Sequence, residues 1–382
     1  VNAMKTKFQQ PVVILIDEYD KPILDNITDP EMALKARNIL RNFYGAIKGM
    51  DNDLRFVFIT GVSKFSKTNL FSQLNNLEDI TIDEQYSNIT GYTDRDLNEQ
   101  FSLYFKNANM EQVKRWYNGY NYFGPKVYNP YDILLFLKKG LVFKNYWWET
   151  GSPKFLIDML KQGDYYIPDL ENCIVGEETL NTMEVENINL IALLWQTGYL
   201  TFKEKQTNPV TGEIIYQMCV PNLEIQLSLN QLFKTFLTNK KYEDKPAVQA
   251  AQNQILKRDF ENLKISLSSL FASIPYNNYA NNIISRYEGY YSSVMYTFFA
   301  ALGFDLVPED VTNRGRIDIT LKTPDSYMIF EFKADSKESP IQQIKDKKYY
   351  EKYQSKGKDI YLIGILFDSE KRNITDFTWE TV

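Results

Sequence analysis

The chain has 382 residues, 44% hydrophobic and 24% charged, with a formal net charge of −6, so it is long and apolar enough to build two or three folded domains. Bulk charge advertises no nucleic-acid surface, since residues 251–382 carry 17 Lys and Arg against 18 Asp and Glu. Histidine is absent, which removes Ser-His and Cys-His catalysis and histidine zinc sites, and leaves carboxylates, lysine, tyrosine and hard cations such as Mg2+ or Mn2+. Cys173 and Cys219 stand far apart and build neither a disulfide framework nor a zinc site, which fits a reducing cytoplasm. No apolar run is long enough to cross a bilayer, so no membrane association is expected; the best, YLIGILF at 361–367, has the length of a buried strand. No signal peptide is visible, and VNAM at the start reads as a cloning remnant.

In chain order, PVVILIDEYD (11–20) places five apolar β-formers after a proline and ends in acids, the pattern of a strand buried on both faces of a parallel sheet. The next segment predicts a helix capped by Thr28 or Asp29, opened by Pro30 and closed by Gly49. LRFVFITGVSK (54–64) reads as a second buried strand, which completes a βαβ unit. TDRD (93–96) is a capping box ahead of a helix, and aromatic turns follow in WYNGYNYFG (116–124). ENINLIALLWQTG reads as a helix leading to two strands, YLTFKEK and EIIYQMCV, an order compatible with a winged-helix-like lid. The polar stretch 238–249 is the best linker. Beyond it come a helix near 251–273, a helix over 287–304, two strands, a tyrosine-rich basic helix at 346–358 and the strand DIYLIGILF.

The chemistry concentrates in RIDITLKTPDSYMIFEFKAD (316–335). In MIFEFK, Phe330 and Phe332 point to one face of a strand while Glu331 and Lys333 share the other. Asp318 lies between Ile317 and Ile319 on a strand separated from Glu331 by a turn at Thr323-Pro324-Asp325, so a hairpin would bring the two carboxylates together. Two such carboxylates supply hard oxygens for one divalent cation, which can acidify a bound water and neutralise charge on a phosphate. Lys333 beside them could orient that water or stabilise the developing charge.

This D-(about a dozen)-E-x-K pattern resembles the PD-(D/E)XK nuclease superfamily, and residues from about 287 to 377 look like the version of that domain fused to AAA-ATPase-like proteins, many from bacteria. The likeness includes NRGRIDI (313–319), IFEFK (329–333), QIKDKKYYEKY (343–353) and YLIGILFD (361–368). The Pro-Asp of the superfamily's name is here Ile317-Asp318. The resemblance implies that Glu288, on the helix before the strands, joins the site, and that Gln343 with Tyr349 supports it, although their spacing is two residues longer than the usual four. Upstream, VVILIDEYD resembles the Walker B strand of P-loop ATPases, which would give Asp17 and Glu18 the roles of holding Mg2+ through water and polarising the attacking water. ITGVSKFSKTNLFSQLNNLEDITID (59–83) continues the AAA-ATPase-like likeness. No G-x-x-x-x-G-K-[ST] is present; GVSKFSKT is the nearest stretch, and Lys64 and Lys67 read as surface lysines, with contact to phosphate as the alternative.

The fold class expected is therefore α/β. A partial P-loop, AAA-like α/β region (1–90) is followed by a mainly helical lid with a winged-helix-like element (91–240) and a restriction-endonuclease-like α/β domain with a mixed sheet (241–382). The expected function is metal-dependent hydrolysis of DNA or RNA by Asp318, Glu331, Lys333, Glu288 and Gln343, with Mg2+ or Mn2+ on Asp318 and Glu331. ATP would bind at Asp17 and Glu18 only with a phosphate loop that the family carries upstream of this strand. The competing readings are an inactive nucleic-acid or protein-binding platform of the same fold and an ATP-dependent switch without its phosphate loop. No motif decides between DNA and RNA or sets the oligomeric state.

Overall fold

Pro11 and the apolar β-formers after it make the strand Val12–Ile16 in the computed structural model, which describes residues 1–27, 29–63, 77–147, 173–181, 183–184, 187–238, 245–274 and 288–382. The described residues fall into two units, one ending at Asn222 and the other beginning at Leu223.

In the first unit, Val12–Ile16 pairs in parallel with Leu54–Ile59 through the helix Pro30–Lys48, the expected βαβ unit. Asp29 caps that helix by accepting from the Met32 amide, and Thr28, the alternative cap, lies outside the described residues. Tyr44 and Ile47 on the helix pack with Tyr19 against Ile16, Leu54, Val57 and Ile59. Val13, Leu15 and Phe56 point the other way and are exposed, which corrects the expectation of burial on both faces. Inward and outward positions are both apolar here, so the true alternation was hidden. The opening residues, set aside as a remnant, form the helix Asn2–Phe8, and its Lys5 pairs with Asp53 at 2.6 Å.

Further along, Thr93 and Asp96 form the predicted capping box on Asp94–Gln100. The aromatic turn is a packed corner: Tyr117 is buried against Phe136, Phe143 and Tyr146, and Phe123 packs on Phe202 and Tyr216. The helix Leu190–Gln196 leads into the antiparallel strands Thr201–Thr207 and Ile214–Cys219, and Ile174–Gly176 adds a third strand on the outer side of the second.

The second unit holds a five-stranded sheet in the order Asp305–Thr312, Gly315–Lys322, Ser326–Ala334, Asp359–Asp368, Asn373–Thr381. All neighbours are antiparallel except Ser326–Ala334 and Asp359–Asp368, whose parallel pairing requires the crossover through the helices Pro340–Asp346 and Glu351–Gln354. The helix Glu288–Ala301 covers one face of the sheet, with Phe299 on Phe330 at 4.7 Å and Tyr291 stacked on Phe367 at 4.5 Å between ring centroids. The crossover covers the opposite face through a core of Tyr327, Ile329, Ile341, Ile344, Tyr349 and Leu362.

Two expected helices are broken. The one near 251–273 is two helices, Lys245–Lys257 and Phe260–Ala272, because Arg258 turns left-handed (φ 58°) and Asp259 caps the second by accepting from the Asn262 amide. The tyrosine-rich helix of 346–358 shrinks to Glu351–Gln354, because Lys348 adopts φ 49° and ends the preceding helix. Residues 239–244 of the expected linker lie outside the described residues, and Lys245–Lys257 is already helical.

Gly364, opposite Glu331 in the central parallel pair, lets the crossover helix sit directly on the sheet: a Cβ there would lie 2.6 Å from the Ile341 amide nitrogen. Gly364→Ala is expected to lift the helix that carries Gln343 and to cost about 1–3 kcal/mol by overpacking. Urea unfolding measures it, and an unchanged midpoint would contradict this packing.

Candidate active site

The hairpin brings Asp318 and Glu331 to adjacent strands, closed by a turn in which the Thr323 amide donates to the Ser326 carbonyl (2.9 Å) and the Ser326 amide to the Thr323 hydroxyl (2.9 Å). Strand pairing runs from Lys322–Tyr327 to Ile319–Phe330 and then stops. At the next step the Asp318 carboxylate takes the place of a backbone carbonyl and accepts from the Phe332 amide at 2.7 Å, which fixes the aspartate at the point where the strands part. The face assignment holds: Phe330 and Phe332 pack on Phe299 and Phe367, while Glu331 turns the other way, toward the crossover helix.

Glu331 is 2% exposed. Gln343, on the helix opened by Pro340, donates its amide to Glu331 Oε1. Tyr349 stands beside Gln343, and both burial and the Glu331 charge push its phenol above the ordinary range. The extra two residues between Gln343 and Tyr349 are absorbed by the left-handed turn at Lys348, where the Tyr349 amide bonds back to the Ile344 carbonyl at 3.2 Å. Lys333 Nζ lies 3.9 Å from Glu331 Oε1 and 3.8 Å from Glu288 Oε1, bridging the sheet and the first turn of the Glu288 helix. The structure therefore brings together all five residues named from the sequence for this site.

Electrostatics explains what the cluster lacks. Burial raises the proton affinity of Asp318 and of Glu331; the charges of Glu288 and Glu309 raise that of Asp318 further, and those of Asp318 and Glu288 raise that of Glu331, while Lys333 opposes both. Glu331 Oε2 is buried with no hydrogen-bond partner among the described residues. An orphaned carboxylate oxygen beside a second, half-buried carboxylate is a donor set that fits a hard divalent cation. Among the described residues, however, no three acids are already drawn together tightly enough to hold a metal by themselves. Two carboxylates with waters completing the shell match the habit of Mg2+.

The acids after the first strand form a separate cluster. Asp17 is exposed and accepts from the Thr60 hydroxyl at 2.6 Å, and Glu18 follows with φ 51°. Asp20, not singled out in the sequence, is fully buried and accepts from the amides of Val62 and Ser63 and from the Ser63 hydroxyl, so it ties the end of one strand to the loop after the other. Lys64 and Lys67 lie outside the described residues.

Sequence reading also missed Glu309 and Asp310. The pairs Pro308–Ile319 and Asp310–Ile317 bracket Glu309 directly across from Asp318, and Glu309 adopts φ 48° there. Asp310, 3% exposed, accepts from Thr320 (2.7 Å), Tyr353 and Lys352 and so anchors the second crossover helix to the edge strand. Only an acid interrupting an otherwise β-forming run signalled either residue.

The comparisons with known proteins fit this geometry. A model of the PD-(D/E)XK nuclease superfamily matches residues 286–377, and a model described as Predicted AAA-ATPase matches residues 1–71. The chain belongs to the family of AAA-ATPase-like proteins that carry a C-terminal PD-(D/E)XK nuclease superfamily domain. It is 42% identical over 379 residues to the "Uncharacterized protein in vnfD 5'region" of Azotobacter chroococcum mcd 1, an alignment covering 97% of this chain and 72% of that protein. No solved structure matches it.

Because the two carboxylates hold protons above the ordinary carboxylate range, a divalent cation must displace them on binding. Calorimetric titration with Mn2+ at neutral pH, in buffers of different ionisation enthalpy, is expected to show release of about one proton and tighter binding as pH rises. The folded metal-free chain binds more protons than the unfolded chain, so its stability is expected to fall as pH climbs past the ordinary carboxylate range. Binding without proton release would contradict the assignment.

Proposed function

We propose that the chain is a metal-dependent nuclease that hydrolyses phosphodiester bonds at Asp318, Glu331 and Lys333. The observation that carries this reading is the pairing of buried Glu331 with half-buried Asp318, with an orphaned Glu331 oxygen and the Lys333 ammonium 3.9 Å from its partner oxygen. A binding platform gains nothing from burying Glu331 against a second carboxylate, a cost that a cation or proton between them offsets.

Asp318 and Glu331 would hold Mg2+ or Mn2+, which when bound would supply an acidified water and neutralise charge on the scissile phosphate. The Phe332 amide fixes the Asp318 carboxylate, and Gln343 fixes Glu331 Oε1. Lys333 lies within reach of both Glu288 and Glu331 and would donate a hydrogen bond to the attacking water or to a non-bridging phosphate oxygen. Glu288, the more exposed of the two, would complete the shell through water and hold the Lys333 ammonium in line. The substrate class is nucleic acid, as the superfamily's chemistry implies. Asp17 and Glu18, just past the end of a strand, would serve as a Walker B pair, and ATP would join them only with a phosphate loop.

The test is cleavage of single-stranded DNA, duplex DNA and RNA with Mg2+ or Mn2+. We expect at least one substrate to be cut, and Asp318→Ala or Lys333→Ala to lower the rate by about a hundredfold or more. A folded wild-type chain that cuts nothing, or variants that cut as well as it does, would sink the reading.

A further inference from the structure

A turn beside the cluster presents two arginines. Between the two edge strands, the Thr312 hydroxyl donates to the Gly315 carbonyl (2.9 Å) and accepts from the Arg314 amide (3.1 Å), giving the turn one conformation. Gly315 has φ 149°, and a Cβ there would stand 2.8 Å from the Tyr349 hydroxyl, so the turn is seated on the residue that backs Gln343 and, through it, Glu331. Arg316 leaves this turn two residues ahead of Asp318. Its Nη1 lies 2.8 Å from Oε2 of Glu309, the residue across from Asp318. Arg314 lies 3.6 Å from Glu351.

Stability is a poor account of this arrangement. The Arg316 side chain is 68% exposed, and an ion pair so exposed contributes little to folding. Glu309 reaches it from a left-handed backbone (φ 48°) that a non-glycine residue adopts only at a cost. A planar guanidinium in open solvent beside an acidic centre is suited instead to bidentate capture of a phosphate.

We infer that Arg316, assisted by Arg314, receives the sugar-phosphate backbone next to the bond to be cut, and that Glu309 holds the Arg316 guanidinium in place until a phosphate displaces it. The inference rests on the nuclease reading and adds a substrate-binding role that the acid-acid-lysine set does not supply. The device counters the like charge of phosphate and carboxylates: the strand is gripped by cations a short distance away while its scissile phosphate lies at the acids.

Fluorescence anisotropy with labelled single-stranded DNA, duplex DNA and RNA of one sequence tests it, with Lys333→Ala as parent so that nothing is cut. Arg316→Ala is expected to weaken binding of the preferred nucleic acid about tenfold and to flatten the logarithmic salt dependence by about one. Arg314→Ala should do less, and Glu309→Gln should tighten binding severalfold by freeing the guanidinium. Equal affinity and an equal salt slope for Arg316→Ala, in a parent that binds, would overturn this inference and leave the nuclease reading standing. A parent that binds none of the three nucleic acids would overturn both.

Discussion

A carboxylate buried in a sheet beside a second, half-buried one is a debt that the surrounding structure has to settle. Asp318 and Glu331 repel, and neither burial nor the neighbouring Glu288 helps. Much of the second unit is arranged to hold them there nonetheless. The Phe332 amide grips Asp318 where strand pairing stops, the Pro340 helix lies on Gly364 so that Gln343 reaches Glu331, and Lys333 spans Glu331 and Glu288. The aromatic packing of Phe299, Phe330, Phe332 and Phe367 on the opposite face gives this polar cluster a rigid floor. A site built on strands and backed by packed rings keeps its geometry better than one built on loops.

The sequence made the hairpin legible because its signals are local. An alternation of period two, a Thr-Pro-Asp turn and two acids at fixed offsets specify which side chains face each other once the strands pair. The order of helix, strands, helix and strand followed from the same reasoning. What stayed hidden depends on single left-handed residues. Arg258, Glu309 and Lys348 carry no composition cue for φ above zero, yet each redirects the chain: one splits a helix, one sets Glu309 across from Asp318, and one lets Tyr349 meet Gln343 despite the longer spacing. Asp20 and Asp310 were illegible for a related reason, since an acid that satisfies buried donors looks the same in sequence as a solvated one.

The first unit shows the opposite weakness. Apolar runs at 12–16 and 54–59 announced strands and their parallel pairing, but a continuous apolar run says nothing about how many faces are covered, and Val13, Leu15 and Phe56 are exposed. The acids at the end of the first strand are organised all the same: Asp17 is tied to Thr60 and Asp20 to Ser63, so both strand ends are locked to each other. This junction lies within the AAA-ATPase-like match over residues 1–71.

The most direct measurement is a crystal of the protein soaked in Mn2+, with diffraction collected at the manganese edge. The account predicts one anomalous peak bridging Asp318 and Glu331, with carboxylate oxygens about 2.1 Å from the ion and Glu331 Oε2 among them. An occupied manganese site elsewhere, with Asp318 and Glu331 left metal-free, would contradict it.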